Sequence, residues 1–124
     1  MPLVEISTGD LVDRVTILRI KTERIADPLR RDKAQRELDL LYPKILCSGI
    51  SQDSKEYVAL YEVNKIVWDL VAVQADMIKN GKATGEAYNE TATAVFENNN
   101  ERFKIKSAID RMTGSRLEEV KSHV

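Results

Sequence analysis

The sequence predicts an all-α domain, an antiparallel bundle of about four helices with a short C-terminal helix or tail. Three observations predict it. Only 5 glycines and 3 prolines interrupt the 124 residues. Apolar residues recur at steps of three and four over most of the chain, the period of a helix face. Hydrophobic residues make up 43% and charged residues 31%, which places the chain among globular and not disordered sequences. This length suits one domain over residues 1–124. Folding at this size buries roughly two-thirds of the unfolded surface, enough for a core without disulfide or metal.

The elements follow in order. Leu3-Val4-Glu5-Ile6 reads as a lead-in or a very short strand. Ser7-Thr8-Gly9-Asp10 then starts a helix, with a hydroxyl cap and an acid in the first turn. The first helix runs from about 9 to 26. Asp27-Pro28 ends it and opens the second, Asp27 as cap and Pro28 at the first helical position. The second helix covers about 28–42, with Leu38, Leu41 and Ile45 at helical spacing, and Pro43 is expected to end or kink it. Residues 47–53 form a loop.

The third helix begins near Ser54 and ends at Asn80-Gly81. Tyr57, Tyr61, Asn64, Trp68, Val71, Ala75 and Ile78 step alternately by four and three along it, and a second apolar stripe runs beside them. This face is ~39 Å long at the helical rise, so the helix is the spine of the bundle. Thr84 or Gly85 opens a fourth helix, and Gly114 closes it. Ser115-Arg116-Leu117-Glu118 has capping-box spacing, so a short final helix is expected after it.

Charge excludes some functions. With 19 basic and 20 acidic residues the net charge is −1, which supplies no general attraction to nucleic acid or anionic membranes. No apolar run reaches the roughly 18 residues of a membrane span, and the N-terminus lacks the layout of a signal peptide. Cys47 stands alone, so no internal disulfide forms, and a cytoplasmic location is expected. It reads as a small filler near a loop. His123, the single histidine, reads as a solvated tail residue without metal-ligand spacing around it.

The first helix has two faces to bury. At 100° per residue, Leu11, Val15, Leu18, Thr22 and Ile25 form an ordinary core stripe. Asp13, Ile17, Ile20 and Arg24 fall on the opposite side, with Lys21 at its margin. That second stripe cannot face the same neighbour. It fits a subunit interface built on Ile17 and Ile20. Alternatively it fits an anion site in which Lys21 and Arg24 receive the anion and Asp13 orients one of them.

A second polar stripe lies on the fourth helix. Asn99, Arg102 and Lys106 share a face, and Asp110 follows one turn later. Asn98-Asn99-Asn100 sits inside this helix although asparagine is a poor helix residue, so either the helix breaks there or the amides have partners. If Asn99, Arg102 and Lys106 meet Lys21 and Arg24, they make a cationic, amide-lined cleft suited to phosphate or carboxylate.

Familiar catalytic motifs are missing. The chain has no Gly-rich phosphate loop, CxxC, HExxH or GxSxG. The acids do not reproduce the paired turns of a helical nucleotide pyrophosphatase: Glu37 and Asp39 face different ways, Glu62 and Asp69 do not complete the pattern, and Glu86 and Glu90 lack a partner pair. Asp13 through Arg24 is only loosely like a helical chorismate mutase.

The run from Gly9 to Ile25 (Gly-Asp-Leu-Val-Asp-Arg-Val-Thr-Ile-Leu-Arg-Ile-Lys-Thr-Glu-Arg-Ile) is distinctive. So are Arg36-Glu37-Leu38, Val63-Asn64 with Trp68, Val95-Phe96 through Asn99, Arg102 and Lys106, then Gly114-Ser115 and Glu118-Glu119-Val120-Lys121-Ser122. In these the chain resembles a family of small bacterial and phage proteins classed as a domain of unknown function. Members usually carry Asn-Asp where this chain has Asn99-Asn100, and an aromatic where His123 stands. The resemblance implies no established activity, and it implies a full-length protein rather than a fragment.

The expected function is a cytoplasmic, non-enzymatic helical module that self-associates as a homodimer, with a further protein partner open. The alternative is a small-anion, phosphate or nucleotide-related binding protein or enzyme using Asp13, Lys21, Arg24, Asn99, Arg102 and Lys106. No metal, cofactor, nucleic acid or membrane is expected in either.

Overall fold

A computed structural model describes residues 2–115 and places four helices among them: α1 Thr8–Arg24, α2 Pro28–Leu46, α3 Lys55–Lys79 and α4 Glu86–Thr113. Residues 2–6 lead in without strand pairing. The expected short helix after Ser115 lies outside the described residues.

Local chemistry sets the ends. The Ser7 hydroxyl accepts from the Asp10 N–H at 3.1 Å and caps α1. Asp27 caps α2 by accepting from Leu29, with Pro28 in the first turn. Gly81 follows the end of α3, where Lys82 N–H reaches the Met77 carbonyl and Gly81 N–H that of Ile78. This crossed pair satisfies carbonyls that the helix end would otherwise orphan.

One expectation is corrected and one open alternative is decided. Helix α2 does not stop at residue 42 but runs through Pro43 to Leu46. Proline removes only the bond to the carbonyl of Asp39, an exposed residue that water can serve, and the fully buried Ile45 anchors the last turn. Nor does α4 break at Asn98-Asn99-Asn100. The Asn98 amide donates back to the Ala94 carbonyl at 2.8 Å, and the Asn99 carbonyl oxygen accepts from Arg102 at 3.4 Å, so two of the amides have partners within the helix.

Helix α1 packs against all three other helices, α3 and α4 pack on each other, and α2 packs on α1. That central position is why α1 buries both of its faces. Val12, Val15, Ile45, Ile50, Tyr57, Leu60, Val63 and Ile109 form the core, drawn from every helix and from the α2–α3 loop. At 1.5 Å per residue α1 is ~26 Å long, against ~38 Å for α3 and ~42 Å for α4. It therefore cannot cover the whole α3–α4 hairpin. Cys47 is exposed at the end of α2.

Candidate functional site

The start of α1 and the end of α4 are joined by an antiparallel ladder of polar contacts. Ser115 Oγ accepts from Thr8 N–H at 2.8 Å. Asp110 Oδ1 accepts from Gly9 N–H at 2.6 Å. Lys106 Nζ meets Asp10 Oδ1 at 2.8 Å. Arg102 grips Asp13 at two points, Nε to Oδ1 at 2.8 Å and Nη2 to Oδ2 at 2.5 Å. Residues 110, 106 and 102 are successive turns of α4, so one face of that helix carries three of the four rungs. Together with Ser7, these groups satisfy the first N–H donors of α1, and the Asp110 carboxylate lies at the favourable positive end of its dipole. Gly114 makes the ladder's last rung possible. Its φ of 68° is left-handed backbone that glycine adopts without strain, and it turns Ser115 back onto Thr8.

Asp13 is also bound from α3. Asn64 Nδ2 donates to Asp13 Oδ1 at 2.9 Å and to Thr16 Oγ1 at 3.0 Å. Three helices thus meet on one carboxylate. It is paired and hydrogen-bonded, the condition under which a charge can be buried.

The ladder decides where the expected anion-site residues go. Asp13, Asn99 and Arg102 come together, while Lys106 pairs one step further along with Asp10. Arg24 pairs instead with Asp69 of α3. From Asp10 to Arg24 is roughly 21 Å along α1, so these cations do not converge on one ligand. Lys21, one turn before Arg24 on α1, lies in a groove of about 440 Å³ that also holds Asp10, Asp13, Arg14 and Glu37. Arg14 bonds Glu37 there at 2.5 Å. Among the described residues no group of acids, cysteines or histidines has the arrangement of a metal site.

A second cluster locks α1 to α3. The Arg19 guanidinium lies 4.1 Å from the Tyr61 ring centre, and Lys65 lies 4.5 Å from the same ring. The Tyr61 hydroxyl donates to Glu23. Burial pushes the Tyr57 phenol above its ordinary value of 10.0, against the hydrogen bond and charge of Arg19. Tyr61 is raised as well, by burial and then by its bond to Glu23.

The expected interface residues border an open cleft. Ile20 is 1% exposed, covered within one chain, and Ile17 is half-buried. Both line a cleft of about 400 Å³ with Val67, Trp68, Val71, Ala72 and Ala75 of α3, and with Asn64 and Arg102. Its walls are almost wholly apolar. Among the described residues that line it, none is a nucleophile paired with a base.

Sequence reasoning passed over two residues here. Gly9 read as part of a helix start, but a Cβ there would collide with the Lys106 carbonyl and lie 2.7 Å from Asp110 Oδ1. The glycine exists for close helix approach. Asn64 read as one step of an apolar stripe; a polar residue within such a stripe was the available signal.

Among the described residues no helix is long and apolar enough to cross a membrane. No curated protein and no solved structure matches the chain. The profile of one family matches residues 2–123, nearly the whole chain. The chain therefore belongs to that family, described as a family of unknown function (DUF6165).

Proposed function

We propose that this protein is a helical interaction module that self-associates through the apolar face of α3 that α1 leaves open. One observation carries this reading. The stripe Tyr57, Tyr61, Asn64, Trp68, Val71, Ala75, Ile78 keeps the three-four spacing of a helix–helix seam along its whole length. Its first half is covered: Tyr57 and Asn64 are buried and Tyr61 is half-buried. Its second half is not, with Val71 47% and Ile78 57% exposed and Ala75 exposed between them.

A second copy is the occupant that suits this surface. The hairpin extends past α1, so two hairpins laid side by side build a four-helix arrangement. A net charge of −1 leaves little repulsion between copies. Trp68, with Ile17 beside it, is the anchor type that dominates interfaces. Ile17, half-buried at the cleft's edge, then acts as the wall against which the second copy's helix rests, and Ile20 backs it from inside the chain.

The test is mass in solution by light scattering, on the native chain and on Val71→Arg. The native chain is expected to associate in the micromolar range. The variant places a charge in the seam at an exposed position, and is expected to stay monomeric with an unchanged helical spectrum.

A further inference from the structure

We propose that the outer face of α2 is a docking site for the first half of α4 of a second copy of this chain. The contact rests on the self-association proposed above and sets the orientation of the two copies. Helix α2 packs on α1, with Ala34 and Ile45 buried and Leu38 and Leu41 packed against the core. At 100° per residue, Leu29, Lys33, Arg36, Leu40 and Lys44 lie together on another face, and all five are exposed. Leu29 is 81% and Leu40 71% exposed. A single leucine at the surface is ordinary. Two of them in line with three cations make a stripe that the described residues leave uncovered.

The complement is on α4. Residues 86–101 carry four glutamates and no lysine or arginine. Glu86, Glu90 and Glu97 fall within a narrow strip of the helix surface and line an open groove of about 540 Å³ with Thr93 and Ala94. Among the described residues these three acids pair with no base, and Lys33, Arg36 and Lys44 pair with no acid. The two strips match in length. Lys33 and Lys44 stand eleven residues apart, as do Glu86 and Glu97, which is roughly 17 Å of helix in each case. Laid parallel, Lys33 meets Glu86, Arg36 meets Glu90 and Lys44 meets Glu97. In that register Leu40 falls opposite Thr93 and Ala94, so the exposed leucine enters the groove at its small residues, between the ion pairs.

Ile17 borders both the cleft against α3 and the groove lined by Glu37 of α2. Helix α2 thus flanks the seam across α1, one interhelical spacing of roughly 10 Å away. A partner hairpin two helices wide spans that distance. In an isologous pair each copy gives its α4 to the other's α2, so the contact occurs twice and assembly stops at two chains. Complementary charge orients partners more than it adds affinity. The apolar seam of α3 therefore supplies cohesion, and the α2–α4 contact supplies direction. A polyanionic partner suits α2 less well, since the chain's own acids leave it a net charge of −1 and would repel one.

The test is charge exchange, with mass in solution followed at about 50 mM and about 500 mM salt, where surface charges are weakly and then strongly screened. One variant carries Arg36→Glu with Lys44→Glu, the other Glu90→Lys with Glu97→Lys. All four positions are exposed, so both variants are expected to keep the native helical spectrum. At low salt each alone is expected to dimerise at least about tenfold more weakly than the native chain, because like charges then face each other. An equal mixture of the two is expected to recover the native dimer, because every contact is again between opposite signs. Asp53→Lys with Glu62→Lys changes the net charge by the same amount at other exposed positions, and is expected not to rescue the α2 variant. High salt is expected to weaken the native dimer and to narrow these differences. Variants that dimerise as the native chain does, a mixture no tighter than its components, or equal rescue by the control would overturn this inference, and would leave the α3 seam standing if Val71→Arg is monomeric. A native chain that is monomeric at both salt concentrations would overturn the seam as well. Binding to phosphatidylserine–phosphatidylcholine vesicles that is lost in the α2 variant, with dimer mass unchanged, would overturn the inference by giving that face to a membrane.

Discussion

Gly9 and Asp110 hold the first and last helices in contact: the Asp110 carboxylate accepts the Gly9 N–H at 2.6 Å, and no Cβ fits between them. In an exposed helix interior, Gly→Ala stabilises by about 1 kcal/mol. Here the sign reverses, because the obstructing atom is the Lys106 main-chain carbonyl, which cannot swing aside. Gly9→Ala is expected to destabilise the protein by about 2 kcal/mol, read as a lower midpoint in urea.

Asp13 ties Arg102 and Asn64 to α1. Asp13→Ala removes the two-point acceptor of the guanidinium and one of the two acceptors of the Asn64 amide, at a cost of about 2–3 kcal/mol. The partial exposure of Arg102 keeps this below the figure for a fully buried pair. Replacing both ends, Asp13→Leu with Arg102→Met, is expected to recover most of the loss, since two apolar groups leave no charge stranded. Urea unfolding of Asp13→Leu, of Arg102→Met and of the double variant measures this coupling. An additive double variant would show that the pair is not a unit.

These partners explain what was legible in the sequence and what was not. Ser7, Asp27 with Pro28, Gly81 and Gly114 announce helix ends because capping depends on residue type at a fixed offset. The four helices were therefore readable to within a few residues. Pro43 misled because a proline in a last turn forfeits one bond at an exposed carbonyl, a loss the burial of Ile45 outweighs. At the asparagine triplet the sequence left a break and partnered amides both open, because helix propensity counts the residues and not the partners their amides find. The ladder itself was not readable. Asp13 and Arg102 stand 89 positions apart, and Gly9 and Asp110 stand 101 apart. Periodicity shows which face a residue shares but not which distant face it meets. That is why Lys106 and Arg24 looked like one anion site, when each was matched to a carboxylate of its own.

The tyrosines give a pH dependence. Folding raises the phenol pKa of Tyr57 and Tyr61 above 10.0. The folded state then holds those protons more tightly than the unfolded state, and stability falls as pH rises above the unfolded value. Thermal midpoints are expected to be flat with respect to these groups below about pH 9 and to drop beyond pH 10. Tyr57→Phe removes one such group, so its alkaline decline is expected to be shallower than that of the native chain.

The uncovered half of the α3 stripe is the surface on which the functional reading rests. Ala75→Arg is a second probe of it, since Ala75 is exposed and the substitution disturbs no core contact. The chain and this variant are expected to have the same thermal midpoint at low micromolar concentration, where both are monomeric. The midpoint of the native chain alone is expected to rise with concentration.

Light scattering across the micromolar range tests the account most directly. Self-association through Trp68, Val71, Ala75 and Ile78 predicts a native mass that climbs from 14.1 kDa toward twice that value, and a Val71→Arg mass that stays at one chain. A native protein that remains at 14.1 kDa throughout that range would contradict it.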